Sequence, residues 1–234
     1  MVTLTYQERF KTIKGVFDEF TNRTLFILQK KGCFDKLVSP IAIGKESNVF
    51  LASRNDSQVI VKIYRIQNAN FSKMFSYIKK DPRYGFLKNQ RRQVILSWAQ
   101  REYKNLLKAN QLKINIPKVI GWKNHILVEE MVGDANPALR LKDSPPKNPL
   151  AMFKEIVTGI RTLYKGGLIH GDLSPFNILN FQEKPYFIDF SQATITKTPN
   201  SEELLQRDVK IICNFFNKMN ISANFKQTFL KVTK

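Results

Sequence analysis

Leu168-Ile-His-Gly-Asp-Leu-Ser-Pro-Phe-Asn-Ile-Leu179 is the stretch that decides the fold of this chain. An apolar pair leads into His170 and Asp172, and Asn177 stands five residues after that aspartate. Phosphoryl transfer needs a carboxylate that orients the attacking group, and it needs oxygen ligands that hold Mg²⁺ on the phosphates. Asp172 suits the first task and Asn177 suits the second. The stretch therefore predicts a loop that acts on a metal-bound phosphate.

The spacing of the histidine, the aspartate and the asparagine matches the catalytic loop of kinases. Gly171 stands where many protein kinases have arginine. His170 is one of two histidines in the chain. We interpret it as a structural residue that braces the turn with its hydrogen bonds, rather than as a participant in the chemistry.

A second acidic residue follows this loop. Tyr186-Phe-Ile-Asp-Phe190 is predicted to be a strand, with Asp189 near its end. An aspartate within an apolar run is costly to bury unless a cation neutralises it. Asp189 taken alone fits a turn cap equally well, but beside Asp172 and Asn177 it is predicted to be a second ligand of Mg²⁺.

A lysine and a glutamate in the first half of the chain complete the expected centre. Lys62 lies inside the apolar strand 59–64, where a lysine needs an anionic partner. Glu102 shares one face of a predicted helix with Trp98 and Leu106, so it points inward. In the kinase pattern such a lysine meets both the phosphates of the nucleotide and a helix glutamate. We therefore expect Lys62 to pair with Glu102.

The predicted nucleotide loop contains few glycines. Ile43-Gly-Lys-Glu-Ser-Asn-Val-Phe50 has one glycine, so it is neither a Walker A loop nor a Gly-x-Gly-x-x-Gly loop. It does lie between two predicted strands and upstream of Lys62, where a kinase has its nucleotide loop. Ser47 and the neighbouring backbone N–H groups are expected to approach the phosphates.

The chain around these motifs is predicted to be strand-rich first and helical later. Residues 1–40 are expected to form short helices, because Phe10, Ile13, Phe17 and Phe20 recur at helical spacing. The N-terminal lobe is expected to span residues 41–132. Its predicted parts are strands over 41–52 and 59–64, a flexible basic loop over 65–92, a helix over 94–110 and two strands around Asn124.

The C-terminal lobe is expected to span residues 133–234, after a linker rich in proline and aspartate. Asn148 is a suitable cap and Pro149 a suitable first residue for its first helix. A strand-rich lobe followed by a mainly helical, truncated lobe predicts an α+β, two-lobed fold of the protein-kinase type.

The net charge of +19 indicates a polyanionic partner, most often a nucleic acid. Lysine and arginine are densest between Lys79 and Arg101. No apolar run reaches the roughly 18 residues that a membrane span needs. Cys33 and Cys213 are far apart and make neither a disulfide framework nor a metal motif. We therefore expect a cytoplasmic protein with no membrane partner.

Together these motifs resemble the RIO family of atypical protein kinases, most closely its Rio-one branch. The resemblance covers roughly residues 20–216. It rests on Gly44-Lys-Glu-Ser-Asn-Val49, Val61-Lys-Ile-Tyr64, the basic loop ending in Trp98-Ala-Gln-Arg-Glu102, Arg140-Leu-Lys-Asp143 and Arg207-Asp-Val209.

The resemblance implies an ATP-dependent serine/threonine protein kinase and ATPase that uses Mg²⁺, or Mn²⁺ in its place. It implies these roles: Lys62 contacts the phosphates and pairs with Glu102, backbone groups of Glu130 and Val132 hold adenine, Asp172 is catalytic, and Asn177 and Asp189 bind the metal. It further implies that Asp189 itself can become phosphorylated. It also implies a role in maturation of the small ribosomal subunit, in contact with its rRNA.

Some residues depart from the family pattern. Glu129 stands at the hinge, where methionine is more usual, and Phe190-Ser191 follows the metal aspartate in place of smaller or different residues. The 45 residues after Asp189 contain no Ala-Pro-Glu signature. We therefore expect a nucleotide-driven binding switch more than a sequence-specific peptide kinase. The resemblance is to a minimal, archaeal-like form, and we expect a monomer.

Three other interpretations fit parts of the sequence. Small-molecule phosphotransferases of the aminoglycoside or choline kinase kind also carry His-Gly-Asp and a downstream asparagine, but they usually have a larger, acidic C-terminal lobe. A minimal kinase associated with tRNA modification would lack the basic insertion at 65–92. A catalytically inactive RNA-binding protein would not need the full set of groups for Mg²⁺ and ATP.

Overall fold

The structure is a computed structural model that describes residues 17–67 and 71–234. The helices expected around Phe10 and Ile13 lie outside the described residues. In chain order the elements are α1 Glu19–Lys30, β1 Lys36–Ile43, β2 Ser47–Arg54, β3 Ser57–Tyr64, α2 Phe71–Ile78, α3 Arg91–Gln111, β4 Val119–Lys123, β5 Ile126–Glu130, α4 Pro149–Lys165, β6 Leu168–Ile169, β7 Ile178–Phe181, β8 Lys184–Phe187, β9 Thr194–Ile195, α5 Ser201–Asn217 and α6 Phe225–Thr233.

A five-stranded antiparallel sheet forms the first lobe, in the order β1-β2-β3-β5-β4. Strand β3 lies at its centre, paired with β2 on one side and β5 on the other. Helix α1 buries Leu25 and Leu28 in the same apolar cluster as Phe50 and Val61 of the sheet. The central position of β3 holds Lys62 on a rigid element.

The single strand expected over 41–52 is wrong, because the chain reverses there and forms β1 and β2. The N–H of Gly44 donates to the carbonyl of Ser47 at 2.9 Å. A Cβ at Gly44 would lie 2.8 Å from that same oxygen, so the reversal needs glycine. The predicted boundary between residues 40 and 41 falls inside β1, whose edge position tolerates Pro40.

The flexible loop expected over 65–92 is wrong over residues 71–78, which form helix α2. Met74 and Ile78 are fully buried, and they pack in one cluster with Val94 and Trp98 of α3. Phe71, Met74 and Ile78 recur at helical spacing, so the sequence carries the signal for this helix.

A buried carboxylate fastens the end of this insertion to the rest of the molecule. Asp81 is fully buried and accepts hydrogen bonds from Arg83 at 2.6 Å and from Thr194 at 3.2 Å. It also lies 3.3 Å from the guanidinium of the buried Arg101 on α3. Burial acts to raise the pKa of Asp81, but the hydrogen bond and charge of Arg83 outweigh it and lower that pKa.

The second lobe is helical, with two small sheets that hold its loops. Helix α4 begins as expected, because the side chain of Asn148 accepts from the N–H of Ala151 at 3.0 Å. Helices α4, α5 and α6 pack together beneath the pairs β6–β9 and β7–β8. Within residues 17–67 and 71–234, no helix has the length and apolar character to cross a membrane.

Candidate active site

The catalytic loop runs between β6 and β7 and is tied together by its own side chains. The amide nitrogen of Asn177 donates to the backbone carbonyl of Asp172 at 2.8 Å. This bond leaves the amide oxygen of Asn177 available to a ligand. Gln192 donates to the Asp172 carboxylate at 3.0 Å. Burial and the nearby Asp189 raise the pKa of Asp172, while the positive charges of Arg207 and Lys73 oppose the rise.

Asp208 holds the backbone of this loop, a role that sequence reasoning did not assign. Its buried carboxylate on α5 accepts from the N–H of Gly171 at 2.7 Å and from the N–H of Leu173 at 2.9 Å. Burial raises the pKa of Asp208 to about 7, although both donors and Arg207 oppose the rise. The signal was an aspartate on the apolar face of α5, beside Leu204.

Gly171 is required by its backbone. Its φ of 76° is left-handed, and an added Cβ would lie 2.9 Å from the carbonyl oxygen of Gln192. An arginine at this position, as in many protein kinases, would not fit this loop. Arg207 of α5 instead donates to the carbonyl of Gly171.

His170 braces the turn and carries no charge. Its Nε2 lies 3.0 Å from the carbonyl oxygen of Ile188, just before Asp189. Burial lowers the pKa of His170 to about 4, so the ring is neutral near pH 7. The bond joins the catalytic loop to the segment that carries Asp189.

Asp189 follows β8 in a left-handed backbone conformation, with φ at 63°. Lys62 and Ser191 both donate to its Oδ1, at 3.0 Å and 2.7 Å. Burial acts to raise the pKa of Asp189, but the charge of Lys62 and these hydrogen bonds hold it at about 2. The carboxylate is therefore ionised at neutral pH, and its Oδ2 remains for a metal.

Lys62 is the centre of a buried ion-pair cluster. Its ammonium group lies 2.9 Å from Glu102 of α3 and 3.0 Å from Asp189. Tyr64 donates to the other oxygen of Glu102. Burial acts to lower the pKa of Lys62, yet the two carboxylates raise it well above its usual range. The lysine is therefore a fixed cation that links the two lobes.

These residues surround a cavity of about 300 Å³ between the lobes. Seven of the eight residues predicted for the site line it: Ser47, Lys62, Glu102, Glu130, Val132, Asn177 and Asp189. The eighth, Asp172, lies beside it through its contact with Asn177. The fold thus brings the whole predicted set to one place.

The hinge residues Glu130 and Val132 both line this cavity. The N–H of Glu130 donates to the carbonyl of Lys118 at 2.8 Å, and its carbonyl is the acceptor expected for a base. The carbonyl of Val132 accepts from Ala138 at 2.8 Å, which leaves its N–H. One acceptor and one donor are therefore available to a planar base.

The donor set fits Mg²⁺. Asp189 offers Oδ2 and Asn177 offers its amide oxygen, and Mg²⁺ prefers oxygen ligands. In the described ranges, no group of three or more histidine, cysteine, aspartate or glutamate side chains could hold a metal alone. Mg²⁺ at such sites is commonly completed by substrate phosphates and water.

The insertion also contributes to the site, which sequence reasoning did not anticipate. The positive charge of Lys73 on α2 lowers the pKa of Glu46 in the nucleotide loop, although burial and Asp189 raise that pKa overall. The same charge acts on Asp172. A folded α2 therefore carries a cation whose charge acts on both Glu46 and Asp172.

Comparison with known proteins identifies the family. Residues 48–228 match the RIO domain, which is more than half of the chain. The chain belongs to the RIO family of serine/threonine-protein kinases. The resemblance stated from the motifs is therefore confirmed.

Two archaeal members of the RIO family are similar over nearly the whole chain. The RIO-type serine/threonine-protein kinase Rio1 of Methanocaldococcus jannaschii is 38% identical over 230 residues, which are 97% of this chain and 79% of that one. Its counterpart in Haloferax volcanii is 35% identical over 228 residues, with the same two coverages of 97% and 79%.

Solved RIO-family structures share the fold. The Rio2 kinase–ADP/Mg²⁺–phosphoaspartate complex from Chaetomium thermophilum is 25% identical, with a TM-score of 0.71. The match covers 90% of this chain and 66% of that one, so this chain spans just under two thirds of it. The predicted α+β, two-lobed kinase-like fold is confirmed.

Proposed function

We propose that this RIO-family kinase binds ATP with Mg²⁺ in the cavity between its lobes and transfers the γ-phosphoryl group. One observation carries the proposal: Lys62 joins Glu102 and Asp189 at one end of a cavity whose other end is the hinge. The same cavity therefore contains a cation that can bind phosphates, two side-chain oxygens that can bind a metal, and backbone groups of the hinge that can bind a base.

Each residue has a separate task in this proposal. Lys62 neutralises the phosphates and is kept charged by its carboxylate partners. Asn177 and Asp189 would hold Mg²⁺, which would supply positive charge against the negative charge of the transferring phosphoryl group. Asp172, oriented by Gln192, accepts the proton of an attacking hydroxyl.

We further propose that Asp189 is itself a phosphoryl acceptor. The related Rio2 complex contains a phosphoaspartate, and Asp189 is ionised at neutral pH, so its carboxylate has no proton to lose before it attacks. A carboxylate oxygen would form the new bond to the γ-phosphorus. The bond from that phosphorus to the β–γ bridging oxygen would break, and ADP would leave with the electron pair.

The test is incubation with ATP labelled in its γ-phosphate and Mg²⁺, followed by treatment of the labelled protein with hydroxylamine. An acyl phosphate loses its label to hydroxylamine, whereas a serine or threonine phosphoester keeps it. Borohydride reduction should convert residue 189 alone to homoserine, which peptide mass spectrometry detects.

Asp56→Ala is the matched control, since Asp56 is an exposed carboxylate in the turn between β2 and β3. This variant should label normally. Asp189→Ala should not label. Label that is stable to hydroxylamine and lies on a serine or threonine would contradict the proposal that Asp189 is phosphorylated. The activity would then be phosphorylation of serine or threonine.

We also propose that the partner is the RNA of the maturing small ribosomal subunit. The net charge is +19, and Lys79, Arg91 and Arg92 are exposed on the insertion and at the start of α3. Lys80 and Lys210 line a cavity of about 580 Å³ between α2, α5 and α6. These cations support a surface for a phosphate backbone near the catalytic loop.

A further inference from the structure

Glu129 is a buried acid that no group of the described protein satisfies. It lies on β5 directly before the hinge residue Glu130, is 8% exposed and lines the cavity between the lobes. Among residues 17–67 and 71–234, no side chain or backbone group makes a hydrogen bond or ion pair with its carboxyl. Because the carboxyl lines the cavity and none of these residues occupies it, it is available to a group that enters the cavity.

The surroundings of Glu129 favour its neutral form. Glu102 of α3 and Asp189 after β8 bring two further carboxyl groups, against the single ammonium of Lys62 on β3. Burial, then the charge of Glu102, raise the pKa of Glu129 to about 8. A neutral carboxylic acid has one donor and one acceptor, unlike the carboxylate, which only accepts.

We propose that Glu129 selects adenine, donating its acid O–H to N7 and accepting a hydrogen bond from the 6-amino group. This inference rests on the proposed binding of a nucleotide in the cavity. Adenine presents an acceptor and a donor along this edge, whereas guanine presents two acceptors, N7 and O6. The O–H and the carbonyl of a neutral acid match N7 and the 6-amino group of adenine. With guanine, the carbonyl of the acid would face O6, which is also an acceptor. Since the amino group has two hydrogens, it can also meet the carbonyl of Glu130.

Two substitutions separate this role from simple cavity filling. Glu129→Gln supplies an amide, which pairs with N7 and the 6-amino group as the acid does. Glu129→Met supplies an apolar side chain of similar length and no hydrogen bond. The two variants therefore keep the volume of the side chain and differ in hydrogen bonding.

The experiment is titration calorimetry of ADP and of GDP, each with Mg²⁺, on the wild type and both variants. The wild type and Glu129→Gln should prefer ADP by about tenfold or more, and Glu129→Met should lose most of that preference. The ratio of the two affinities is the readout, because effects on the shared diphosphate cancel in it.

The pH dependence gives an independent readout. The acid form is the one that pairs with adenine, so the ADP preference of the wild type should fall as the pH rises through about 8. Binding of ADP near that pH should take up a proton, seen as a dependence of the binding heat on the buffer. Glu129→Gln cannot titrate, so its preference should stay constant and its proton uptake should vanish.

An unchanged ratio in a folded Glu129→Met variant would overturn the inference, as would an unchanged proton uptake in Glu129→Gln. Thermal unfolding checks that each variant is folded, and the Glu129→Gln result decides the matter if Glu129→Met does not fold. Failure of the wild type to bind ADP at all would instead refute the proposed function. The two failures are therefore distinguishable.

Discussion

The side chain of Asp172 makes few contacts, whereas the backbone of its loop is held by several hydrogen bonds. Asn177 and Gln192 contact it directly, while Asp208 fixes the backbone on both sides through Gly171 and Leu173. We therefore expect that removing the Asp172 carboxylate removes the proposed proton acceptor and leaves the loop in place. It also leaves the cavity lining unchanged, because Asp172 is not part of it.

We predict that Asp172→Ala lowers ATP turnover by about 100-fold or more, the usual contribution of a positioned acid–base group. ADP affinity should stay within about threefold of the wild type. Turnover is measured by phosphate release and affinity by calorimetry. Wild-type turnover in this variant would refute the catalytic assignment, and Asp56→Ala serves again as the unaffected control.

At the scale of elements, the insertion behaves as folded structure. Helix α2 buries Met74 completely against α3, whereas a flexible loop would leave such a side chain in water. Phe86, further along the same insertion, is 81% exposed and is the matched comparison. The two residues should respond very differently to truncation.

We predict that Met74→Ala lowers the free energy of unfolding by about 2–4 kcal/mol, since it leaves a cavity in a packed cluster. Phe86→Ala should change it by less than about 0.5 kcal/mol. Urea denaturation followed by circular dichroism measures both. Equal, small effects would mean that α2 is not docked in solution.

The elements that sequence reasoning missed were missed for two reasons. The strand expected over 41–52 ran through Gly44, whose tight approach to Ser47 depends on backbone geometry rather than on hydrophobic pattern. Helix α2 was hidden by its polar, basic surroundings, although Phe71 and Met74 have helical spacing. Short elements that are stabilised by tertiary packing are the hardest to predict from propensity.

At the scale of the whole molecule, the net charge of +19 is the property that follows directly from the amino-acid sequence. Lys79, Arg91 and Arg92 are exposed cations of the insertion and the start of α3. Lys79 and Arg91 lie over the rings of Phe75 and Phe71, and Arg92 lies 4.1 Å from the centre of the Phe20 ring. Reversing these charges should therefore change binding to a polyanion more than it changes the fold.

We predict that Lys79→Glu, Arg91→Glu and Arg92→Glu together weaken binding of a labelled single-stranded RNA. The slope of log affinity against log salt should become shallower by about 2–3, because fewer counterions are released. Fluorescence anisotropy over a range of salt concentrations measures both quantities.

The control for this variant carries the same change in charge elsewhere. Lys31, Lys36 and Lys184 are exposed and lie outside the insertion and α3. Their reversal to glutamate should leave the salt slope within about one unit of the wild type. Equal losses in both variants would indicate a diffuse effect of net charge and no defined RNA surface.

Sequence motifs identified Lys62, Glu102, Asp172, Asn177 and Asp189 because phosphoryl transfer needs those side chains at those spacings. Ser47 followed from its place in the loop before Lys62, and Glu130 and Val132 from the family resemblance. The motifs did not reveal Asp208 or Lys73, whose roles depend on where α5 and α2 pack. Nor did they reveal that the Glu129 carboxyl lacks a hydrogen-bond partner among the described residues, since this depends on which side chains reach it in space. Sequence spacing therefore predicts the residues of the motifs, whereas the residues that support them are known only once the packing of the helices is known.

The buried carboxylate at position 81 limits how this protein can be re-engineered. Because Asp81 joins Arg83 of the insertion, Arg101 of α3 and Thr194, which follows Asp189 by five residues, the insertion is not an accessory that can be excised or grafted onto another scaffold. A deletion that removed it would strip Arg101 of its counter-ion inside the core, at a cost of about 3–5 kcal/mol. A chimera that exchanges this segment must therefore carry all three partners with it.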